Sequence, residues 1–135
     1  MESYQNSDFF FMGDTRLLIV ESNDLDYFTI DKMLLHTGIK LFRAVTGKEA
    51  INMCAKNIDI MLINMVIPHI DSITISNYIK RLRPNLPIIA YSLDTVESVQ
   101  NSLITPAFNN IIILRQKEQL INELLKHIAY KHQLV

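Results

Sequence analysis

A chain of 135 residues is the size of one domain with a core of its own, and its formal net charge of -1 gives no electrostatic pull toward nucleic acid or an anionic membrane. Apolar residues make up 49% and charged residues 20%, which excludes a disordered chain and points to a sheet covered on both faces. No apolar run approaches the roughly 20 residues of a membrane span, and the single cysteine, Cys54, excludes an internal disulfide, so a cytoplasmic setting is expected.

Residues 1–14 are expected to form an N-terminal arm and residues 15–135 one domain. The arm is polar apart from Phe9, Phe10 and Phe11, a cluster too short for a signal peptide and preceded by the acidic Glu2 and Asp8. It reads either as a tail folded back on the domain or as a docking peptide, since three adjacent phenylalanines in water invite a partner. Arg16 to Val20 is a first strand, stopping at Glu21-Ser22-Asn23-Asp24, where Asn23 or Asp24 can cap a helix. That helix runs from about Leu25 to Thr37 with Ile30, Met33 and Leu34 on its apolar stripe, and Gly38 suits the position beyond its end. A second strand, Ile39 to Ala44, leads to a helix over Gly47 to Lys56 with Ala50, Ile51 and Cys54 inward, which makes Cys54 a small core residue.

The third strand, Ile58 to Ile63, is apolar without alternation, as in a parallel sheet covered on both sides, and the polar Asn64 stands at its tip. Ser72 to Arg83 is the next helix, with Ile75, Ile79 and Leu82 inward and Pro84 ending it. Asp71 fixes the loop after Pro68. Pro87 to Ser92 is a fourth strand, Thr95 to about Leu103 a short polar helix, Ile111 to Leu114 a fifth strand, and Lys117 to His132 the last helix. Strands alternate with helices five times, which implies a doubly wound parallel sheet of the α/β class with helices on both faces and right-handed crossovers. With no linker or second core, a stand-alone domain is expected.

In such sheets, ligands and reacting groups gather beyond the carboxyl ends of the strands. The segments that meet there, Leu18-Ile-Val-Glu-Ser-Asn, Asp59-Ile-Met-Leu-Ile-Asn-Met-Val-Ile-Pro-His-Ile-Asp-Ser and Pro87-Ile-Ile-Ala-Tyr-Ser, resemble the bacterial receiver domain of response regulators over roughly Thr15 to His132. The resemblance implies a flavodoxin-like (βα)5 fold, five parallel strands with five helices. It also implies an Asp at the tip of strand three that takes phosphate from a phosphohistidine donor. An acidic pair after strand one would hold Mg²⁺ with that Asp. A hydroxyl on strand four and a Lys on strand five would grip the phosphoryl oxygens, and an aromatic on strand five would report the state.

Carried onto this chain, the phosphoacceptor position is Asn64 and the acidic pair is Glu21-Ser22, so one carboxylate remains. Ser92 matches the hydroxyl, the lysine position falls on Leu114, or on Arg115 with a shift of one, and the switch aromatic falls on Ile111. The glycine after the proline loop is Ser72. An acyl phosphate needs a carboxylate nucleophile, which an amide is not. Mg²⁺ wants hard, charged oxygens, and phosphoryl transfer rests on charge stabilisation by metal and Lys or Arg. Removing crowded carboxylates relieves a pKa displacement of about one to three units, or about 1–4 kcal/mol.

The expected protein is a degenerate receiver, not an enzyme and without a cofactor, acting by phosphorylation-independent protein–protein binding. Its partner would be a signalling kinase or effector. The last helix, apolar at Leu120, Leu124 and Ile128 and again at Ile121 and Leu125, is either a wide core face or has a second stripe for a partner, a second copy giving a homodimer. The alternative is an active phosphorelay receiver with a drifted Mg²⁺-dependent site, for which Glu21 is the metal candidate. The histidines, His36, His69, His127 and His132, lack metal-ligand spacing.

Overall fold

A computed structural model describes residues 12–67, 71–93 and 106–133, with side chains as far as residue 128. Strands β1 (Arg16–Val20), β2 (Lys40–Ala44), β3 (Ile60–Asn64), β4 (Ile88–Ser92) and β5 (Asn110–Ile113) form one sheet in the order β2-β1-β3-β4-β5. Every pairing is parallel. Helices α1 (Asp24–Met33), α2 (Gly47–Cys54), α3 (Ser72–Leu82) and α4 (Lys117–Gln133) complete the described elements. The expectation of five helices is therefore corrected: among the described residues there are four. The segment expected as another helix, 95–103, lies outside the described residues, as do the phenylalanines of the arm and Pro68 and His69.

Alternation along the strands sorts the core into two layers. Leu18, Val20, Met61, Ile63, Ile88 and Ala90 face α2 and α3, where Ala50, Cys54 and Ile79 are buried. Leu17, Ile19, Ile60, Leu62, Ile89 and Tyr91 face α1 and α4, where Ile30, Leu120, Ile121 and Leu124 are buried and Leu125 and Ile128 pack alongside. Both apolar stripes of the last helix thus belong to one core layer. Cys54 lies in the other, its Sγ 3.7 Å from Met61 Sδ, and burial pushes its thiol up to about 11, which leaves it protonated and inert at neutral pH.

Some boundaries differ from the expected ones. Helix α1 ends at Met33 rather than near Thr37, because His36 and Gly38 both take positive φ (71° and 78°) and the Thr37 hydroxyl donates to Leu34 O at 2.7 Å. On α3 the inward row runs through Ser72, Ser76 and Ile79, with Ile75 half-buried, so Leu82 turns outward and is 54% exposed. The next residue, Arg83, reaches the carbonyls of Cys54 (3.0 Å) and Ile58 (2.8 Å), tying the end of α2 and the approach to β3 to the end of α3.

Asp71 is the N-cap of α3. Its carboxylate accepts the Thr74 hydroxyl at 2.9 Å and the backbone N–H groups of Ile73 and Thr74 at 3.1 and 3.2 Å. Those bonds, the Thr74 hydroxyl foremost, hold its carboxyl below the usual value. Asp71→Ala is expected to cost about 1 kcal/mol at neutral pH. The contribution of Asp71 is complete above the unfolded carboxyl value of about 4 and is lost as pH falls through its lower folded value. Urea unfolding of both proteins at pH 7 and pH 3 should show the gap closing in acid.

Candidate functional site

The register of the sheet builds the site. Val20 pairs with Ile63, so one step further sets Glu21 beside Asn64, and Asn64 pairs with Tyr91. Side-chain alternation turns all three toward the α1–α4 layer, because Leu17 and Ile19, Ile60 and Leu62, and Ile89 precede them on that face. Three adjacent strands therefore present a carboxylate, an amide and a phenol in one row at their carboxyl ends.

The row is closed by hydrogen bonds. Glu21 Oε1 accepts from Asn64 Nδ2 at 2.8 Å and from the Tyr91 hydroxyl, while its Oε2 accepts the backbone N–H of Asn23 at 3.0 Å. Glu21 is 1% exposed and Tyr91 0%. Burial, with the Glu21 carboxylate beside it, pushes the Tyr91 phenol far above its ordinary value, so it stays a donor. Asn64 Oδ1 accepts the N–H of Val66 at 2.9 Å. These two bonds fix the amide orientation, since a flipped amide would set its oxygen against the carboxylate and lose the Val66 donor. The Ser72 hydroxyl donates to Asn64 O at 2.7 Å, anchoring the strand tip to the start of α3.

A cation does stand at this edge, as part of the protein. Arg43 on β2 donates through Nε to the backbone carbonyl of Glu21 at 3.0 Å and pairs with Asp24 at 2.9 Å, its guanidinium 4.7 Å from the centre of the Tyr27 ring. Ser22 is exposed, and Asn23 caps α1 by accepting the N–H of Asp26 at 2.9 Å.

The remaining residues singled out from the sequence lie toward β5. Ser92 is buried, and its carbonyl accepts the Leu114 N–H at 2.8 Å. Strand β5 ends at Ile113, so Leu114 is the first residue past it; Leu114 is buried in the α1–α4 layer and Arg115 is exposed. Ile111 is half-buried against the α2–α3 layer. The structure thus brings Glu21 and Asn64 into contact, leaves Ser22 and Arg115 in solvent, bonds Ser72 to the tip of β3, and adds Tyr91 and Arg43. Tyr91 carried only a general signal, that a buried tyrosine must find a partner for its hydroxyl; which partner is set by the pairing of β3 with β4.

Residues 17–129 match the response regulator receiver domain family. The chain belongs to that family. Among curated proteins it is 29% identical over 83 residues to the response regulator SaeR of Staphylococcus aureus (strain USA300), a stretch covering 62% of this chain and 36% of that protein. The chain therefore spans well under two thirds of the length of the curated relatives it matches. Among solved structures it is similar to a receiver domain protein of Clostridium thermocellum (TM-score 0.78, 16% identity, 90% of this chain and 99% of that one). It is also similar to the Thermotoga maritima regulator TrrA, solved with Mg²⁺ and beryllofluoride (TM-score 0.72, 18% identity, 84% and 98%). A third is the receiver domain of the Pseudomonas aeruginosa sensor kinase PA1611, with magnesium in its active-site cleft (TM-score 0.73, 20% identity, 85% and 98%). At these identities the structural likeness speaks to the fold alone, a flavodoxin-like parallel sheet. Receiver domains generally act with histidine kinases and effectors and are not independent enzymes. Among the described residues no helix is long and apolar enough to cross a membrane.

Two of those structures hold magnesium, and the donors of this receiver domain differ from what that ion needs. No group of three or more His, Cys, Asp or Glu side chains suited to a metal occurs among the described residues. The Glu21 carboxylate, which this row buries, has both oxygens engaged by N–H and O–H donors, and its neighbour Asn64 turns an NH₂ toward it. Mg²⁺ requires charged or carbonyl oxygens facing the ion. These residues do not fit it.

Proposed function

We propose that this receiver domain signals by phosphorylation-independent protein–protein interaction, with residues 15–135 as the interaction domain and 1–14 as an arm. The observation that carries this reading is the amide at the tip of β3: Asn64 offers no carboxylate to a phosphoryl donor and is committed to Glu21 at 2.8 Å. Two further features support it. The lysine position that the resemblance implies falls on the buried Leu114, or on the exposed Arg115 with a shift of one, and the position of the switch aromatic falls on Ile111. Without a ligand that distinguishes two states, no population shift is driven, so the surface near β5 and α4 presents one conformation to its partner. That partner is a signalling kinase or an effector in the cytoplasm, and a second copy is a further option for the same surface.

The test is exposure of the folded protein to acetyl phosphate with Mg²⁺, followed by intact mass. No phosphoryl adduct is expected. A stoichiometric adduct, lost on mild base treatment as an acyl phosphate would be, would instead establish an active phosphorelay receiver with a drifted Mg²⁺-dependent site.

A further inference from the structure

We propose that the Tyr91 hydroxyl is an internal ligand that takes the place of a cation at this edge, so that the site is closed to divalent metal by Tyr91 independently of Asn64. The inference deepens the proposed function and rests on that reading of the edge.

The geometry that carries it is the occupancy of Glu21. A carboxylate attracts a metal through lone pairs that face open space or solvent. Here Oε1 receives two donors, from Tyr91 and Asn64, and Oε2 receives the Asn23 N–H. The two contributors to Oε1 differ in what an evolutionary or laboratory change would do to them. Exchanging Asn64 for a carboxylate removes one donor and adds an oxygen, yet leaves the phenol in place. The phenol cannot swing aside, because Tyr91 is among the largest fully buried side chains and sits on β4 in the layer formed with Leu62, Ile89 and Leu120. Its hydroxyl holds its proton at any ordinary pH, so it does not become an anionic ligand itself. Arg43 does not compete for this carboxylate: it donates to the Glu21 backbone carbonyl and pairs with Asp24, so the side-chain partners of Glu21 are Asn64 and Tyr91.

The consequence is specific: restoring a carboxylate near Glu21 does not restore metal binding while the hydroxyl remains. Two independent pairs of variants test it, N64D against N64D/Y91F, and S22D against S22D/Y91F. The second pair places the added carboxylate at an exposed position, so it stays informative if the buried N64D series does not fold. The readout is paramagnetic broadening by Mn²⁺ of the amides of Glu21, Ser22 and Met65, with Mg²⁺ competition giving the affinity. Folding of each variant is verified from its amide spectrum.

In both pairs the Y91F member is expected to bind at least about tenfold more tightly, the ratio that follows from releasing one charge-assisted hydrogen bond. Equal affinity within the folded pairs, or no binding by either Y91F member, overturns the assignment to Tyr91. Failure of the broader reading is seen separately: the wild-type protein itself would then respond saturably to Mg²⁺ and beryllofluoride.

Discussion

Glu21→Ala is expected to lower the unfolding free energy by about 2–4 kcal/mol, a large loss for one side chain at a strand end. The carboxylate is 1% exposed and joins three elements: β3 through Asn64, β4 through Tyr91 and the start of α1 through the Asn23 N–H. Its removal leaves the Tyr91 hydroxyl and the Asn64 NH₂ as buried donors without an acceptor, each costing about 1–3 kcal/mol. The Asn23 N–H belongs to an exposed residue and can turn to water, and relief from burying a charge offsets part of the total. Glu21→Gln keeps the side-chain volume and one acceptor oxygen, so its loss should be clearly smaller. Urea denaturation of the three proteins at neutral pH measures the difference. If the alanine variant fell within about 0.5 kcal/mol of wild type, as for an ordinary surface position, the three-strand link would carry no energy and the site would be a set of incidental contacts.

How far the sequence showed this site follows from the physics of each part. Strands β1, β3 and β4 were legible because a strand buried on both faces is an uninterrupted apolar run between polar turns, and Leu18-Ile-Val, Ile60-Met-Leu-Ile and Ile88-Ile-Ala all have that form. Glu21 and Asn64 were legible because they end such runs. Their contact was not, since it depends on β1 pairing with β3 in one register, which no local signal encodes. Tyr91 was hidden by its own hydrophobicity: in a strand it reads as another core residue until its neighbour is known. Leu82 shows the reverse error. An apolar residue three positions after Ile79 fits the inward stripe, but the buried row runs through Ser72, Ser76 and Ile79 and leaves Leu82 exposed. The early end of α1 depends on His36 at φ 71°, a conformation that a histidine does not announce.

Asn64→Asp is expected to destabilise the protein in a way that depends on pH. Asn64 Nδ2 lies 2.8 Å from Glu21 Oε1, and the exchange replaces that donor by a second carboxyl oxygen at contact distance. Two carboxylates so placed in a buried site cannot both ionise freely, and the folded-state pKa of the introduced carboxyl is raised above its unfolded value. In acid, below the unfolded value of about 4, that carboxyl is protonated and donates to Glu21 as the amide did, so the variant approaches wild type. As pH rises toward and through the raised folded value, the variant loses stability relative to wild type, and the deficit levels off above it. A raise of about one to three units corresponds to a final deficit of about 1–4 kcal/mol. Denaturant midpoints of both proteins at pH 4, 6 and 8 follow the curve. A deficit that did not change with pH would mean that the amide's role is packing alone. A variant more stable than wild type at pH 8 would mean that a cation had been recruited to the new carboxyl, against the closure of this edge by Tyr91.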